Sequence, residues 1–539
     1  MIAICTLVSR LTGLVRDMLM SQTYGLSVVF DAFNYAFQFP NLFRRLFGEG
    51  ALAAAFVPVF TRAVENDGRE AAWRMLARSL ALMTVALISV IVLIELVLLG
   101  IWFFVPAATA EQMASRGLML SLTAIMLPFM LTICVVALFS SVLNCLGSFA
   151  PAALTPVILN VLMIAGILVI GPQLGSAKQL DRQIFGVAIS VIAAGLLQLA
   201  FLLPVLRAHG VALGWKLDMH DPHVRKVLGL MVPVLLGQGV LILGPFLDTN
   251  ICWLFSAQGG PTEANWFGVA FTYPLREGAL SALANAQRLY QFPLGVFAIS
   301  LAVAALPTLT RLANRADWVV WSGELVRTLR LAILIGVVTG AMMTVWSEPI
   351  VRMLFEYRRF DAADTTRVAD VMFWYGLGLW AFCAHHIVLR GFYSLSDIRT
   401  PLLISCLLLP VNLAISLVLI WTPALRESAF AISSTITSAA TVVIGLALLQ
   451  RRTSQKLITA ELCWGATRMA IAGAGGALAL WWLGPSIAAL ADLEAIWLGR
   501  AIETVGGLVL GSMLCVLAGG LLGLPEPARL IRRRRKAQI

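Results

Sequence analysis

The sequence predicts an all-α polytopic membrane protein with about fourteen transmembrane helices. Two six-helix lobes are expected to surround a central cavity in parallel orientation, with two further helices at the C-terminal end. Composition supports this fold class, because 60% of the residues are hydrophobic and 12% are charged, whereas soluble proteins carry about 25% charged residues. Apolar runs of about 20 residues, long enough to cross a bilayer, recur along the chain. A long internal repeat supports the two lobes.

The predicted spans share an apolar character and a length close to the hydrocarbon thickness of a membrane. They lie near 3–24, 28–47, 78–105, 117–146, 151–171, 183–207, 224–256, 279–312, 322–345, 365–393, 399–422, 427–450, 461–484 and 499–523. The first apolar run lacks a basic leading segment and is interrupted by Arg10 and Arg16, so a cleavable signal peptide is not expected. Lysine and arginine concentrate in alternate loops and in the RRRRK tail. This bias predicts that both termini are cytoplasmic.

The internal repeat is marked by prolines that recur at an offset of about 250 residues. The pairs are Pro40 with Pro293, Pro58 with Pro307, and Pro151 with Pro401. Six spans in each copy keep the two lobes in the same orientation. The repeat predicts four regions: an N-terminal lobe at 1–210, a second lobe at 211–452, a helix pair at 453–525 and a basic tail at 526–539.

The first 62 residues are apolar enough to enter a bilayer but carry several charges. Two polar stripes follow helical spacing. The first contains Thr6, Arg10, Gly13, Asp17, Ser21 and Tyr24, and the second contains Asp31, Asn34, Gln38, Asn41 and Arg45. Ionisable groups at membrane depth usually face a cavity or one another. The two stripes therefore predict a charged, water-filled cavity.

Arginines within the spans indicate what this cavity binds. Apolar sequence flanks Arg10 and Arg288 on both sides, so their side chains have no short route to the headgroups, although Arg45 could reach them. A guanidinium fork matches phosphate oxygens and stays charged, which favours a polyanion such as a pyrophosphate. Asp17, Asp31 and Glu49 would balance this charge or exchange protons, and structural pairing could explain part of their presence.

Other clusters leave alternatives open. Asp218, His220, Asp221 and His223 could hold a metal, but Asp221-Pro222 is a good helix start and favours an interfacial loop. His385 and His386 could relay protons or pack as a polar pair. The sequence contains no nucleotide loop, hydrolase elbow or paired-cysteine motif. An enzyme acting on polyprenyl pyrophosphates would need carboxylates arranged around a metal, and the acids here are scattered.

Three motifs resemble the MurJ (MviN) lipid II flippases of the MOP transporter superfamily. They are SRLTGLVRD at 9–17, FDAFNYAFQFPNLFRRLFGEGALAAAFVPVF at 30–60 and RGFYSLSDIRTP at 390–401. The resemblance implies fourteen helices, a cationic cavity, and a groove at the last two helices for the undecaprenyl tail. It assigns substrate binding to Arg10, Arg16, Asp17, Asp31, Arg44, Glu49 and Arg288.

The resemblance also implies a sodium site on spans seven and eleven. Asp248 and Asn412 are the counterparts here, but Ser416 stands where a second carboxylate is expected. Gln287 and Gln291 replace acidic neighbours found in some members, which weakens an acid–base role around Arg288. The stretch 257–282 is longer than in the family and is expected to form a hairpin or short helix on the outer side.

The leading hypothesis is a flippase, not an enzyme, which moves lipid II to the outer leaflet of the bacterial cytoplasmic membrane by alternating access. Expected partners are lipid II and membrane lipids, with no nucleic acid and a monomeric state. No cofactor is expected beyond a coupling ion, Na⁺ or a proton, or the membrane potential. Alternatives are a flippase for another polyprenyl-linked oligosaccharide or a multidrug exporter. A cavity for cationic drugs should be acidic, and this one is basic.

Overall fold

The fold was analysed in a computed structural model of the chain. The structure describes residues 2–105, 109–212, 214–218, 221–260, 263–266, 269–490 and 496–525. By contacts, the chain divides into two compact units, Met1–Ser281 and Ala282–Ile539. The lobe boundaries that the repeat predicts concern a sequence duplication, and they stay a prediction.

The first unit is helical apart from one hairpin. Its helices are α1 (Ile2–Tyr24), α2 (Val28–Phe43), α3 (Leu52–Arg62), α4 (Arg69–Phe104), α5 (Ala110–Cys145), α6 (Phe149–Ala165), α7 (Gly171–Leu174), α8 (Leu180–Ala208) and α9 (Pro222–Leu254). Strands β1 (Glu263–Trp266) and β2 (Val269–Thr272) pair in antiparallel register. Helix α5 is the centre of this unit, since it packs on α2, α4, α6 and α8. Helix α9 packs on α2, α3 and α4.

The second unit begins within α10 (Ala279–Pro293). Its further helices are α11 (Ser300–Asn314), α12 (Trp318–Val345), α13 (Ser347–Phe355), α14 (Ala362–Ser394), α15 (Arg399–Leu419), α16 (Ser428–Thr453), α17 (Ala460–Leu490) and α18 (Ile496–Leu521). Helix α14 packs between α12 and α16, and the α17–α18 pair packs on α12 and α13. Glycines allow this close approach, since a Cβ at Gly476 would lie 2.3 Å from the Cys515 sulfur.

The predicted membrane architecture is confirmed. Eleven helices among the described residues are long and apolar enough to cross a membrane, and each of the fourteen predicted spans falls on a helix. The spans that the length and charge criteria do not include lie on α1, α2 and α9. Helix starts follow local rules: Ser27 accepts a hydrogen bond from the Phe30 amide before α2, and Asp361 accepts one from the Asp364 amide before α14.

The second span is longer than predicted. Helix α2 continues through a π-helical segment, Arg44–Ala51, into α3, which ends at Arg62. A second π-helical segment, Leu294–Ile299, joins α10 to α11. Proline precedes both segments, at Pro40 and Pro293, and it cannot donate the backbone hydrogen bond of a regular helix. The recurrence of this irregularity at the offset of the sequence repeat supports the duplication.

The stretch 257–282 contains the predicted hairpin. Residues Glu263 and Thr272 pair at its open end. Gln258 donates a hydrogen bond to the Trp253 carbonyl, and the backbone of Ala257 bonds to that of Leu275. These contacts close the loop between α9 and α10 at its base.

Candidate functional site

Arg16 and Asp17 form the central contact of the candidate site on α1. The Nε and Nη2 atoms of Arg16 donate to Asp17 Oδ1 at 2.9 and 2.7 Å. Both side chains are 14% exposed. A charge pair of this kind, held within an apolar helix, is expected to face a polar space or its own partner. One face of the guanidinium is thus fixed by a carboxylate of the same helix.

Asn160 of α6 supports the same guanidinium from the other side. Its Oδ1 accepts a hydrogen bond from Arg16 Nη1 at 2.8 Å. Its amide nitrogen donates to the Ser9 carbonyl at 3.1 Å and to the Thr12 hydroxyl at 3.3 Å. Asn160 is 6% exposed, so it connects α1 and α6 through a buried polar network. The network fixes the orientation of Arg16.

The remaining predicted basic residues of the first unit lie apart from this network. Arg10 is exposed on α1, one and a half turns before Arg16. Arg44 is half-buried in the π-helical segment after α2, where its Nε and Nη2 atoms donate to Asn41 Oδ1 at 3.3 and 2.9 Å. Glu49 belongs to the same segment, and its side chain lies outside the described residues. Arg44 and Glu49 thus occupy an irregular turn of the kind often found at functional sites.

Asp31 of α2 makes a long-range contact with the start of α10. It is 2% exposed, and its Oδ1 accepts hydrogen bonds from the Ser281 backbone amide at 2.7 Å and the Ser281 hydroxyl at 2.6 Å. Asn34, one turn along α2, donates to the same hydroxyl at 3.2 Å. A carboxylate at the first turn of a helix satisfies an amide that has no partner in the helix and complements the helix dipole. The contact positions α10 against α2.

Two other residues of α2 complete its polar face. Tyr35 donates a hydrogen bond to Asn250 Oδ1 of α9 at 2.9 Å, and its ring lies 5.3 Å from that of Trp253. Both polar atoms of the Gln38 amide are buried, and no hydrogen-bond partner for them lies within the described part of the chain. A buried amide in this state requires a water or a ligand atom as its partner. Gln38 is therefore a further candidate for substrate contact.

Arg288 belongs to the second unit and is half-buried on α10. The residues around it are clamped by α14. Gln287 donates to the Tyr375 hydroxyl at 3.2 Å, and the Tyr290 ring stacks on that of Tyr375 at 4.4 Å and of Phe382 at 5.3 Å. Tyr375 is 1% exposed, so this aromatic cluster is part of the packed core. It holds the turn of α10 that carries Arg288.

The residues predicted to bind sodium lie in different units. Asp248 of α9 is 4% exposed, and its Oδ1 has no hydrogen-bond partner among the described residues. In the second unit, Asn412 donates to Thr437 Oγ1 at 3.2 Å, and the hydroxyls of Ser416 and Ser433 lie 2.7 Å apart. Carboxylate, amide and hydroxyl oxygens are donors that suit a hard cation, so both sets fit Na⁺ chemically. Ser416 supplies no negative charge.

The loop before α9 uses its acids for structure. Asp221 Oδ1 accepts a hydrogen bond from the Val224 amide at 3.1 Å, as an N-cap does. Arg78 of α4 pairs with Asp221 and with Asp218, the latter at 3.3 Å. His220 and the side chain of His223 lie outside the described residues. Across the parts of the chain that are described, no group of three His, Cys, Asp or Glu side chains could hold a metal ion.

Sequence reasoning missed the supporting residues of the site. Arg16 and Asp17 were predicted and do meet, whereas Arg10 and Arg44 do not share their network. Asn160, Ser281 and Asn41 were not predicted as partners, although Asn160 offered a signal as a lone amide in the apolar run ALTPVILNVLM. Ser281 offered none, since the backbone amide of any helix start can donate in this way.

Comparison with known proteins resolves the family. The family model described as "Lipid II flippase MurJ" matches residues 20–489. The chain belongs to the MurJ lipid II flippase family. Among relatives, a protein of Burkholderia cenocepacia named "Lipid II flippase MurJ" is 32% identical over 74% of this chain and 73% of its own length. A "Probable lipid II flippase MurJ" of Vibrio cholerae is 30% identical over 96% of this chain and 94% of its own.

Solved structures support the same fold class. One titled "Lipid II flippase MurJ, inward closed conformation" matches with a TM-score of 0.70 at 21% identity, covering 98% of this chain and 99% of that chain. An inward-facing multidrug resistance MATE transporter of the MOP superfamily matches with a TM-score of 0.65 at 13% identity, covering 83% and 94%. At these identities the likeness shows the fold alone. This MurJ-family chain is thus a multi-pass inner-membrane protein with a MOP transporter fold.

Proposed function

We propose that this protein is a flippase that moves lipid II from the inner to the outer leaflet of the cytoplasmic membrane by alternating access. Family membership supports the substrate, since the matched relatives are named for it. The observation that carries the proposal within this chain is the Arg16 guanidinium, held at 14% exposure inside a transmembrane helix by Asp17 and Asn160. Such a group is prepared to bind an anion at membrane depth.

The pyrophosphate of the precursor is the anion that suits this site. Arg16 is oriented by two neighbouring acceptors, so little side-chain entropy remains to be lost on binding. Arg10 is exposed on the same helix, and Arg44 lies in the irregular turn after α2. Asp17 keeps the empty site from holding unbalanced positive charge. Arg288 stays a predicted contributor to the same grip, and we infer for Asp31 a positioning role through Ser281.

The lipid tail would remain in the hydrocarbon or lie in a groove at α17 and α18. These helices expose large apolar and aromatic side chains, among them Trp481 at 69% and Trp482 at 74%. Aromatic residues of this kind anchor helices at the membrane interface, and exposed apolar surface is compatible with a polyprenyl chain. Both termini are proposed to be cytoplasmic, so a basic tail beyond α18 would meet anionic headgroups.

Outward release needs a driving force, and three sources are compatible with the residues present. Moving charge across the membrane potential is worth about 2.3 kcal/mol per elementary charge per 100 mV. Proton exchange could use the acids of the site, and sodium could use Asp248 in one unit and Asn412 in the other. Sodium bound at such oxygens would neutralise buried negative charge. The coupling source is a proposal that transport under imposed gradients would resolve.

The test in cells is depletion of the protein in its native host. If the proposal holds, lipid II accumulates in the cytoplasmic leaflet and wild-type protein restores its outward transfer. Unchanged outward transfer after depletion would overturn the assignment. The MATE-like fold supports drug export as a second candidate. Export of a cationic drug by this protein, with no movement of lipid II, would establish it, whereas the basic residues of the site argue for an anion.

A further inference from the structure

Glu95 is an ionisable residue in the apolar outer half of α4. It is the one Asp, Glu, Lys or Arg among residues 79–104. These residues belong to a helix that is long and apolar enough to cross the membrane and is mostly unburied within the protein. The transport site described above does not include α4. An ionisable side chain at such a position calls for a functional explanation.

The outer end of α4 shows how deep Glu95 lies. Trp102, Phe103 and Phe104 are 41%, 74% and 86% exposed, as expected for an aromatic belt at the membrane interface. Arg116 of α5 donates to the Val105 carbonyl at the same end. Glu95 precedes Trp102 by seven residues, which is about 10 Å along a helix with a rise of 1.5 Å per residue. A glutamate side chain is too short to reach the interface from there.

The surroundings of Glu95 offer it no partner within the described structure. Leu87 and Leu98, which are 2% and 7% exposed, form the buried side of this half of α4. Leu93, Leu96 and Leu99 are 62%, 59% and 52% exposed on the outer side. Glu95 is half-buried at the border between the two sides. Among the described residues its carboxyl forms neither a hydrogen bond nor an ion pair.

We propose that the outer half of α4 binds a transmembrane helix of a partner membrane protein that places a lysine or arginine against Glu95. Charge complementarity selects such a helix, because a basic group removes the cost of a carboxylate in hydrocarbon and has its own cost removed. The exposed leucines beside Glu95 supply the apolar surface for helix packing. A second copy of this chain is a poorer match, since it would bring two carboxyls together.

The proposal can be tested with synthetic helices and the full-length protein in phosphatidylcholine vesicles. A photoreactive side chain replaces Leu99, one turn from Glu95, and two biotinylated leucine–alanine helices serve as probes, one with a central lysine and one with leucine there. The lysine helix should cross-link about 3- to 30-fold more than the leucine helix, the range expected for polar contacts between membrane helices. In a Glu95→Leu background the two yields should become equal.

Controls separate this contact from general membrane association. A photoreactive group at Val443 of α16, which is 60% exposed, should show no preference for the lysine helix. Glu95→Leu makes α4 more apolar, so membrane insertion is retained, and membrane abundance verifies it. Equal yields for both helices at Leu99 in the wild type would overturn the proposal. Chain-to-chain cross-links that disappear in Glu95→Leu would also overturn it, because they would identify a second copy as the occupant.

Discussion

Asp31 Oδ1 accepts two hydrogen bonds from Ser281, one from its backbone amide at 2.7 Å and one from its hydroxyl at 2.6 Å. Both residues are buried, at 2% and 0% exposure, although 250 positions separate them in the chain. The carboxylate therefore acts as a cap that the chain supplies from a distant helix. Its charge has a structural task at the start of α10.

Replacement of Asp31 by alanine should destabilise the protein. It removes two hydrogen bonds to a charged group and leaves a buried amide without its partner, a loss of about 1.5–3 kcal/mol. The apparent unfolding temperature in detergent should fall accordingly. Asn34→Ala removes a neutral hydrogen bond of 3.2 Å to the same hydroxyl and should cost less. Equal unfolding temperatures for wild type and Asp31→Ala would contradict the capping role.

Asn160→Leu should impair transport through Arg16. The substitution removes the Nη1 contact of Arg16 while keeping the size of the side chain within an apolar helix. Because both residues act in one network, the double variant with Arg16→Ala should be no worse than Arg16→Ala alone. Complementation and membrane abundance provide the measurements. Thr12→Val, which loses the 3.3 Å contact to Asn160, is the milder control, and additive losses in the double variant would show independent roles.

Arg44→Ala should abolish complementation at normal membrane abundance if the guanidinium contacts substrate. Arg44→Lys keeps the charge but loses the planar fork, so it should retain partial activity. The Asn41 contact is local to the same turn, which limits the structural damage of either change. Full activity of Arg44→Ala at normal abundance would remove Arg44 from the mechanism.

Arg78→Gln should destabilise the inner end of the first unit. It leaves the Asp221 carboxylate, whose side chain is 7% exposed, without its main cation. Breaking a buried ion pair in this way costs about 3–5 kcal/mol. Arg74→Gln is the matched control on the same helix. Its pair with Glu70 is exposed, at 61% and 91%, and should contribute less than about 1 kcal/mol. Equal unfolding temperatures for the two variants would contradict this prediction.

The polar stripe of the first helix shows what sequence could predict. Helical spacing placed Asp17, Ser21 and Tyr24 on one face, and the structure buries Ser21 and Tyr24 at 0% and 1% exposure while Arg10 on the same stripe is exposed. Periodicity gives a direction around a helix, but how far a neighbouring helix covers that face depends on packing. The outer part of the stripe is therefore core, and only its inner part remains accessible.

Arg16 shows the opposite case, since it lies off the stripe and yet forms the best-supported contact. A long guanidinium side chain can reach around the helix to Asn160, so the position of its Cα does not fix where its charge lies. The hairpin and the helix positions could be predicted, because apolar length and turn composition are local. Partners such as Asn160 and Ser281 could not, because they depend on contacts between helices distant in sequence.

Translocation of fluorescent lipid II by the purified protein in vesicles tests the central claim most directly. A reductant that cannot cross the membrane reports the fraction of label in the outer leaflet over time. The account predicts that wild type equilibrates the label between leaflets, that Arg16→Ala does not, and that Thr12→Val largely does. Equal rates for wild-type, Arg16→Ala and protein-free vesicles would contradict a flippase that grips its substrate through Arg16.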